Sequence, residues 1–240
     1  PKEISINMKL TPEQIDRLYQ FTHQHYVEWY DLQTELVDHL ANSIEAQWQE
    51  NPKISFEDAL QMEFKKFGVF GFMDVVEKRQ AALNKRYNKI VWQHFKAFFT
   101  IPKIVITLFS FFLMFFIFRN YSNSENLILI LFFGILTAFW LSLFYQSKKN
   151  KKERKKTGKK WLFKEIIFGH SSFAGLSYLP IQILINTDFT ENIGLYKAIF
   201  FSFLFVSMAL CEYIILVIIP SKAEDYLKET YPEYTLENAN

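Results

Sequence analysis

At 240 residues the chain is long enough for one or two domains, and half of it is hydrophobic with 27 Phe, more than a soluble core of this size requires. The formal charge of +2, from 27 basic and 25 acidic residues, names no partner by itself, whereas its distribution along the chain does carry information. The only cysteine, Cys211, rules out an intrachain disulfide and a multi-cysteine zinc site, and its apolar surroundings make it a small buried hydrophobe.

The first residues, PKEISINMKLTPEQ, contain no apolar h-region and no small-residue cleavage site, so this end is expected to stay in the cytoplasm. Residues 1–100 hold 12 Lys/Arg and 14 Asp/Glu in a helical rhythm with few strand signals. Thr11, Pro12 and Gln14 supply an N-cap, a proline at the first helical position and a capping-box partner, which predicts a helix from about 12 to 26. In the next stretch Leu32, Leu36, Leu40 and Ile44 form one apolar stripe, closed by Asn51 and Pro52. Ser55 and Asp58 open a third helix that Gly68 ends; Gly71 allows a further turn before a long charged helix over about 72–99. The end of that helix mixes Trp92, Phe95, Phe98 and Phe99 with Lys89, His94 and Lys96, the composition of a membrane interface.

Beyond Pro102 come four apolar runs, about 101–119, 126–145, 161–186 and 195–220, each long enough to cross a hydrocarbon slab of ~30 Å. The segment between the second and third, 146–160, is expected to be a cytoplasmic loop. It carries Lys148, Lys149, Lys151, Lys152, Arg154, Lys155, Lys156, Lys159 and Lys160 against the single acid Glu153. The other two connections, RNYSNSEN and NTDFTENIG, hold one basic and three acidic residues between them, as external loops should. An even number of crossings then puts both termini in the cytoplasm. The expected class is all-α: a cytoplasmic helical prefix domain over 1–100, a four-helix transmembrane bundle over 101–220 and a cytoplasmic tail over 221–240.

Two ionisable residues fall inside apolar runs. Glu212 lies ten residues above Lys222 and His170 ten residues above Lys160, each roughly 15 Å deep at the helical rise. A mid-bilayer charge costs on the order of 2.5 to 3.5 kcal/mol on insertion scales, so each needs protein, water or a partner beside it. A His170–Glu212 hydrogen bond serves both as structural glue; a proton or ion pathway through the pair, or a contact with another subunit, are the other readings. Lys164 and Glu165 sit one turn inside the interface and can snorkel. Ser171 and Gly175 make a small-xxx-small step, and Pro180 should kink the third run.

The nine cations of 146–160 suit anionic lipid headgroups, each adding about 1 kcal/mol near the surface. Nucleic acid is not expected, because no aromatic interleaving or base-reading fold accompanies them. In the prefix, Asp31, Glu35 and His39 are spaced four apart. That spacing could share a metal, but without an HExxH pattern or paired cysteines it reads as ordinary helix-stabilising charge. With no nucleophile elbow, glycine-rich phosphate loop or carboxylate pair in a defined cleft, neither catalysis nor a cofactor is expected.

The order Tyr30-Asp31-Leu32, Glu35-Leu36, His39-Leu40, then Ser55-Phe56-Glu57-Asp58-Ala59 and Phe67-Gly68, resembles the small helical prefix domains of bacterial membrane proteins, the HAAS-type and permease-prefix domains. The likeness covers about residues 10–80. It implies a compact three-helix cytoplasmic module used for regulation or protein contact, with Glu35 and His39 as structural or contact residues and no catalytic residue to carry over. The turn FGVFG departs from the proline-bearing form of those domains. The function expected from these features is that of a non-enzymatic accessory or regulatory subunit of a larger complex in the bacterial cytoplasmic membrane, with an integral-membrane protein as partner. A small oligomeric transporter or channel built on Glu212 and His170 is the alternative.

Overall fold

A computed structural model of the chain describes residues 9–121, 124–169, 178–187, 194–231 and 234. Among the described residues every regular element is helical. The chain divides into two compact units: Pro1–Leu83 with Thr157–Leu162, and Asn84–Lys156 with Phe163–Asn240. Helix α4 runs through without a break, so no loop marks the division.

The first unit begins with α1, Pro12–Gln24. Its capping box is complete: Gln14 N–H donates to the Thr11 hydroxyl, and the Gln14 side chain accepts from the Thr11 amide. The helix stops at His25, earlier than expected, because Tyr26 turns the chain in the left-handed region at φ 66. Helix α2, Tyr30–Glu50, packs on α1 and buries the predicted stripe of Leu32, Leu36, Leu40 and Ile44, while α1 buries Leu18 and Phe21. Helix α3, Phe56–Lys65, starts at Ser55, whose hydroxyl accepts the Asp58 amide at 3.1 Å. Its buried carboxylate, Glu63, is satisfied by Gln47 and Lys66. An aromatic cluster of Phe21, Phe64, Phe67, Phe72 and the His25 ring closes the unit. A Cβ at Gly71 would approach the Phe64 ring to 2.9 Å, which is why that turn needs glycine.

Helix α4, Met73–Ala97, leads to α5, Lys103–Asn120, and α6, Ser124–Thr157. Then follow α7, Leu162–Gly169, α8, Tyr178–Ile185, and α9, Leu195–Tyr213. A single π turn over Ile214–Ile218 connects α9 to the short α10, Ile219–Ser221, and α11, Ala223–Thr230, ends the series. Among the described residues three stretches are long and apolar enough to cross a membrane: Lys103–Asn120, Asn126–Thr157 and Leu195–Ser221. The third predicted run, 161–186, is not among them; α7 and α8 are eight residues each and 170–177 lie outside the described residues.

In the second unit Phe118, Ile128, Phe132, Ala198 and Phe201 form the core where the end of α5 meets the starts of α6 and α9. The outward faces are as apolar as the inward ones. Val105, Phe109, Phe112, Ile130, Phe133, Leu141 and Phe203 are all exposed, and only 11% of α5 is buried within the protein. In water such surface would cost about 25 cal/mol per Å², whereas lipid tails make it neutral. Membrane association follows from these faces.

Pro220 supplies no amide to the helical ladder, so the chain opens into the π turn just before it, with Ile219 N–H donating to Ile214 C=O. The carbonyl four residues before Pro220, Leu216, instead accepts the Gln146 side-chain amide of α6 at 3.1 Å. A neighbouring polar side chain and a local π adjustment are how a spanning helix accommodates proline.

The described residues of the expected tail are packed. Leu227 and Tyr231 are buried, Arg86 pairs with Glu229 at 2.9 Å, and the Tyr231 hydroxyl accepts the Phe163 amide at 3.1 Å.

Candidate functional site

The segment 146–160, expected as a loop, is helical as far as Thr157. Lys, Arg, Gln and Glu are strong helix formers and no glycine or proline interrupts them, so α6 carries its cations onward as a rod. Two of its charges pair with α7, Arg154 with Glu165 at 3.7 Å and Glu153 with Lys164 at 2.9 Å, and Lys148 rests 4.4 Å from the Phe144 ring centre. Lys149, Lys151, Lys152, Lys155 and Lys156 are exposed. Gly158 ends the helix at φ 69, the left-handed conformation that a C-terminal cap requires.

The residues after Gly158 are gripped by the start of α2, inside the first compact unit. Trp29 occupies the N-cap of α2 without a capping side chain, which would leave the first amides of the helix without acceptors. The Tyr30 amide finds its acceptor in the Lys160 carbonyl at 2.7 Å. The Lys160 ammonium meets the Glu28 carboxylate at 2.6 Å and lies 4.8 Å from the Trp29 ring centre, while the Lys159 ammonium lies 4.1 Å over the Tyr30 ring. Trp161 is buried edge-on against Tyr30 at 5.3 Å. Leu162, the first residue of α7, donates its amide to Asp31 Oδ1 at 3.1 Å, so Asp31 caps a helix distant in sequence.

Four consecutive residues, Glu28-Trp29-Tyr30-Asp31, thus bind Lys159-Lys160-Trp161-Leu162 through one backbone bond, one ion pair, two cation–π contacts, one ring contact and one cap. Such contacts contribute about 0.5 to 1.5 kcal/mol each. The clasp therefore fixes the register of the two segments.

The other sequence-derived candidates are dispersed. Glu35 faces Arg79 at 4.0 Å and the His39 ring packs edge-on to Phe67 at 5.9 Å, so both make contacts inside the first unit. Glu212 is half-buried in α9, two residues before the π turn begins at Ile214, and makes no hydrogen bond or ion pair among the described residues. Its expected partner His170 lies outside the described residues. Asp31, read with Glu35 and His39 as helix charge patterning, is instead the cap on Leu162. The sequence offered one signal for the clasp, the matching compositions of EWYD and KKW, which only proximity makes meaningful.

A family of unknown function (DUF5392) matches residues 74–172, from the first turn of α4 past the end of α7. This similarity covers the first two candidate spans, the basic extension of α6 and the clasped segment, and leaves α1 to α3 outside. It lends no support to the HAAS-type or permease-prefix resemblance. No curated protein and no solved structure matches the chain significantly.

Proposed function

We propose that this protein is a non-enzymatic accessory or regulatory subunit of a larger bacterial cytoplasmic-membrane complex, crossing the membrane four times with both termini inside. The observation that supports it best is the clasp of Glu28, Trp29, Tyr30 and Asp31 on residues 159–162. A helical unit that holds the linker emerging from a spanning helix can pass a binding event to the membrane segment by covalent continuity through α6. In this reading α1 to α3 act as a HAAS-like module for protein contact, the exposed lysines of α6 meet anionic lipid, and an integral-membrane protein is the partner.

Purification of the tagged full chain from membranes in mild detergent tests this. A stoichiometric integral-membrane partner, lost on Trp161→Ala while the chain itself remains abundant, is the expected result. A clean homo-oligomer with no partner overturns it.

A second reading, a small oligomeric transporter or channel, is favoured by the half-buried Glu212 beside the π turn, since such turns recur at functional positions. Glu212→Gln separates the two: loss of assembly favours the accessory subunit, and loss of ion flux in liposomes with assembly intact favours the transporter.

A further inference from the structure

We propose that Lys103, Lys222, His94 and Tyr226 form a binding site for the phosphate group of an anionic lipid headgroup, separate from the lysines of α6. The four residues come from three elements of the second unit and stand in register. His94 and Phe98 are one helical turn apart at the end of α4, and the Lys103 ammonium sits 5.0 Å from the Phe98 ring centre. Lys222 and Tyr226 are one turn apart where α11 begins, Tyr226 N–H donating to Lys222 C=O at 3.2 Å. His94 Nε2 joins the two rows through the Tyr226 hydroxyl at 2.8 Å. Both ammonium groups act on the charge of the His94 ring, which the Tyr226 hydroxyl contacts directly.

The level of these four residues fits a headgroup. Lys103 is the first residue of one candidate span and Lys222 follows the last residue of another. The two ends lie on one side, because Phe118 at the far end of α5 packs on Ala198 and Phe201 at the start of α9, while Phe98 meets Tyr213 near the end of α9. Trp92 and Phe99, both exposed, and Phe95 provide the aromatic belt expected at that depth, with Lys96 over the Trp92 ring.

Charge completes the argument. Neither Lys103 nor Lys222 is ion-paired among the described residues; of the acids on α11, Glu224 and Asp225 lie in its first turn and Glu229 pairs with Arg86. Burial, then Lys222, then Lys103 hold the His94 ring below the usual imidazole range; burial, Glu229 and Asp225 raise the Tyr226 phenol, which stays protonated as a donor. A phosphate held beside His94 would be drawn by both ammonium charges and return the proton to the ring.

The test uses the full chain in nanodiscs of phosphatidylcholine alone or with phosphatidylglycerol, with imidazole resonances assigned through His94→Gln. Phosphatidylglycerol should raise the His94 titration midpoint, and competition should show Lys103→Gln with Lys222→Gln weakening retention of that lipid about thirtyfold, two lysines at about fivefold each. Lys103→Arg with Lys222→Arg should retain it, which separates charge from folding. A midpoint raised by inorganic phosphate in phosphatidylcholine discs, and not by phosphatidylglycerol, assigns the same site to free phosphate. A midpoint indifferent to both anions, or an equal response in the doubly Gln-substituted chain, overturns the site.

Discussion

The amide of Tyr30 donates to the carbonyl of Lys160 at 2.7 Å, so the first turn of α2 is completed by a residue that follows the second candidate span. Helix α2 and the segment 159–162 therefore order each other. Replacing Trp161 with Ala removes the buried ring against Tyr30 and should loosen both strands of the clasp. Hydrogen exchange in peptides covering 28–34 and 157–163 should accelerate about tenfold, ~1.4 kcal/mol of local opening, with peptides over Leu36 to Ile44 unchanged. Unchanged exchange at Tyr30 would mean that the ring does not hold the clasp.

Gly158 adopts φ 69 with no atom within 4 Å of where a Cβ would stand, so its role is conformational and not steric. Gly158→Ala should destabilise the first unit by about 1 to 2 kcal/mol, and Gly158→Asn by less, because asparagine visits the left-handed region more readily. Equal melting of both variants and the unsubstituted chain would remove the glycine from the account.

Gln146 and Pro220 are expected to be coupled through the Leu216 carbonyl. Gln146→Leu should cost about 0.6 to 1.7 kcal/mol, the range of hydrogen bonds between spanning helices. Pro220→Ala restores an amide to the ladder, so the same Gln146 change made on that background should cost less. Additive effects across the cycle, read by reversible unfolding in detergent, would show that the two do not share that carbonyl.

Stability should fall in acid through His94. Burial, Lys222 and Lys103 depress its proton affinity in the folded chain below the ordinary 6.5, so the unfolded chain binds this proton more readily. The stability tied to the neutral ring is complete above 6.5 and is lost as pH falls below that value toward the folded midpoint. Thermal unfolding followed across that window should show a decline that His94→Gln flattens; an identical decline in that variant would place the titrating group elsewhere.

Much of the local structure was legible in the residues. Thr11 with Gln14, and Ser55 with Asp58, mark helix starts because capping involves positions three apart. The stripe Leu32, Leu36, Leu40 and Ile44 identified a core face for the same reason. The basic run misled: its charge identified a linker, and the helix-forming tendency of those same lysines, uninterrupted until Gly158, carried α6 through it. The end of the last apolar run near residue 220 was legible, but the π turn before Pro220 and the Gln146 amide that answers it were not.

What the sequence determined alone is what a few neighbouring residues can impose: helix starts and stops, the apolar length that matches a bilayer, and the clustering of cations. What only the tertiary structure decided is which distant groups meet, Glu28 to Asp31 with Lys159 to Leu162, and His94 with Tyr226. Capping and hydrophobic periodicity act over one or two turns and leave a pattern in the chain. Partners far apart in sequence leave none, because their meeting depends on how the intervening helices pack.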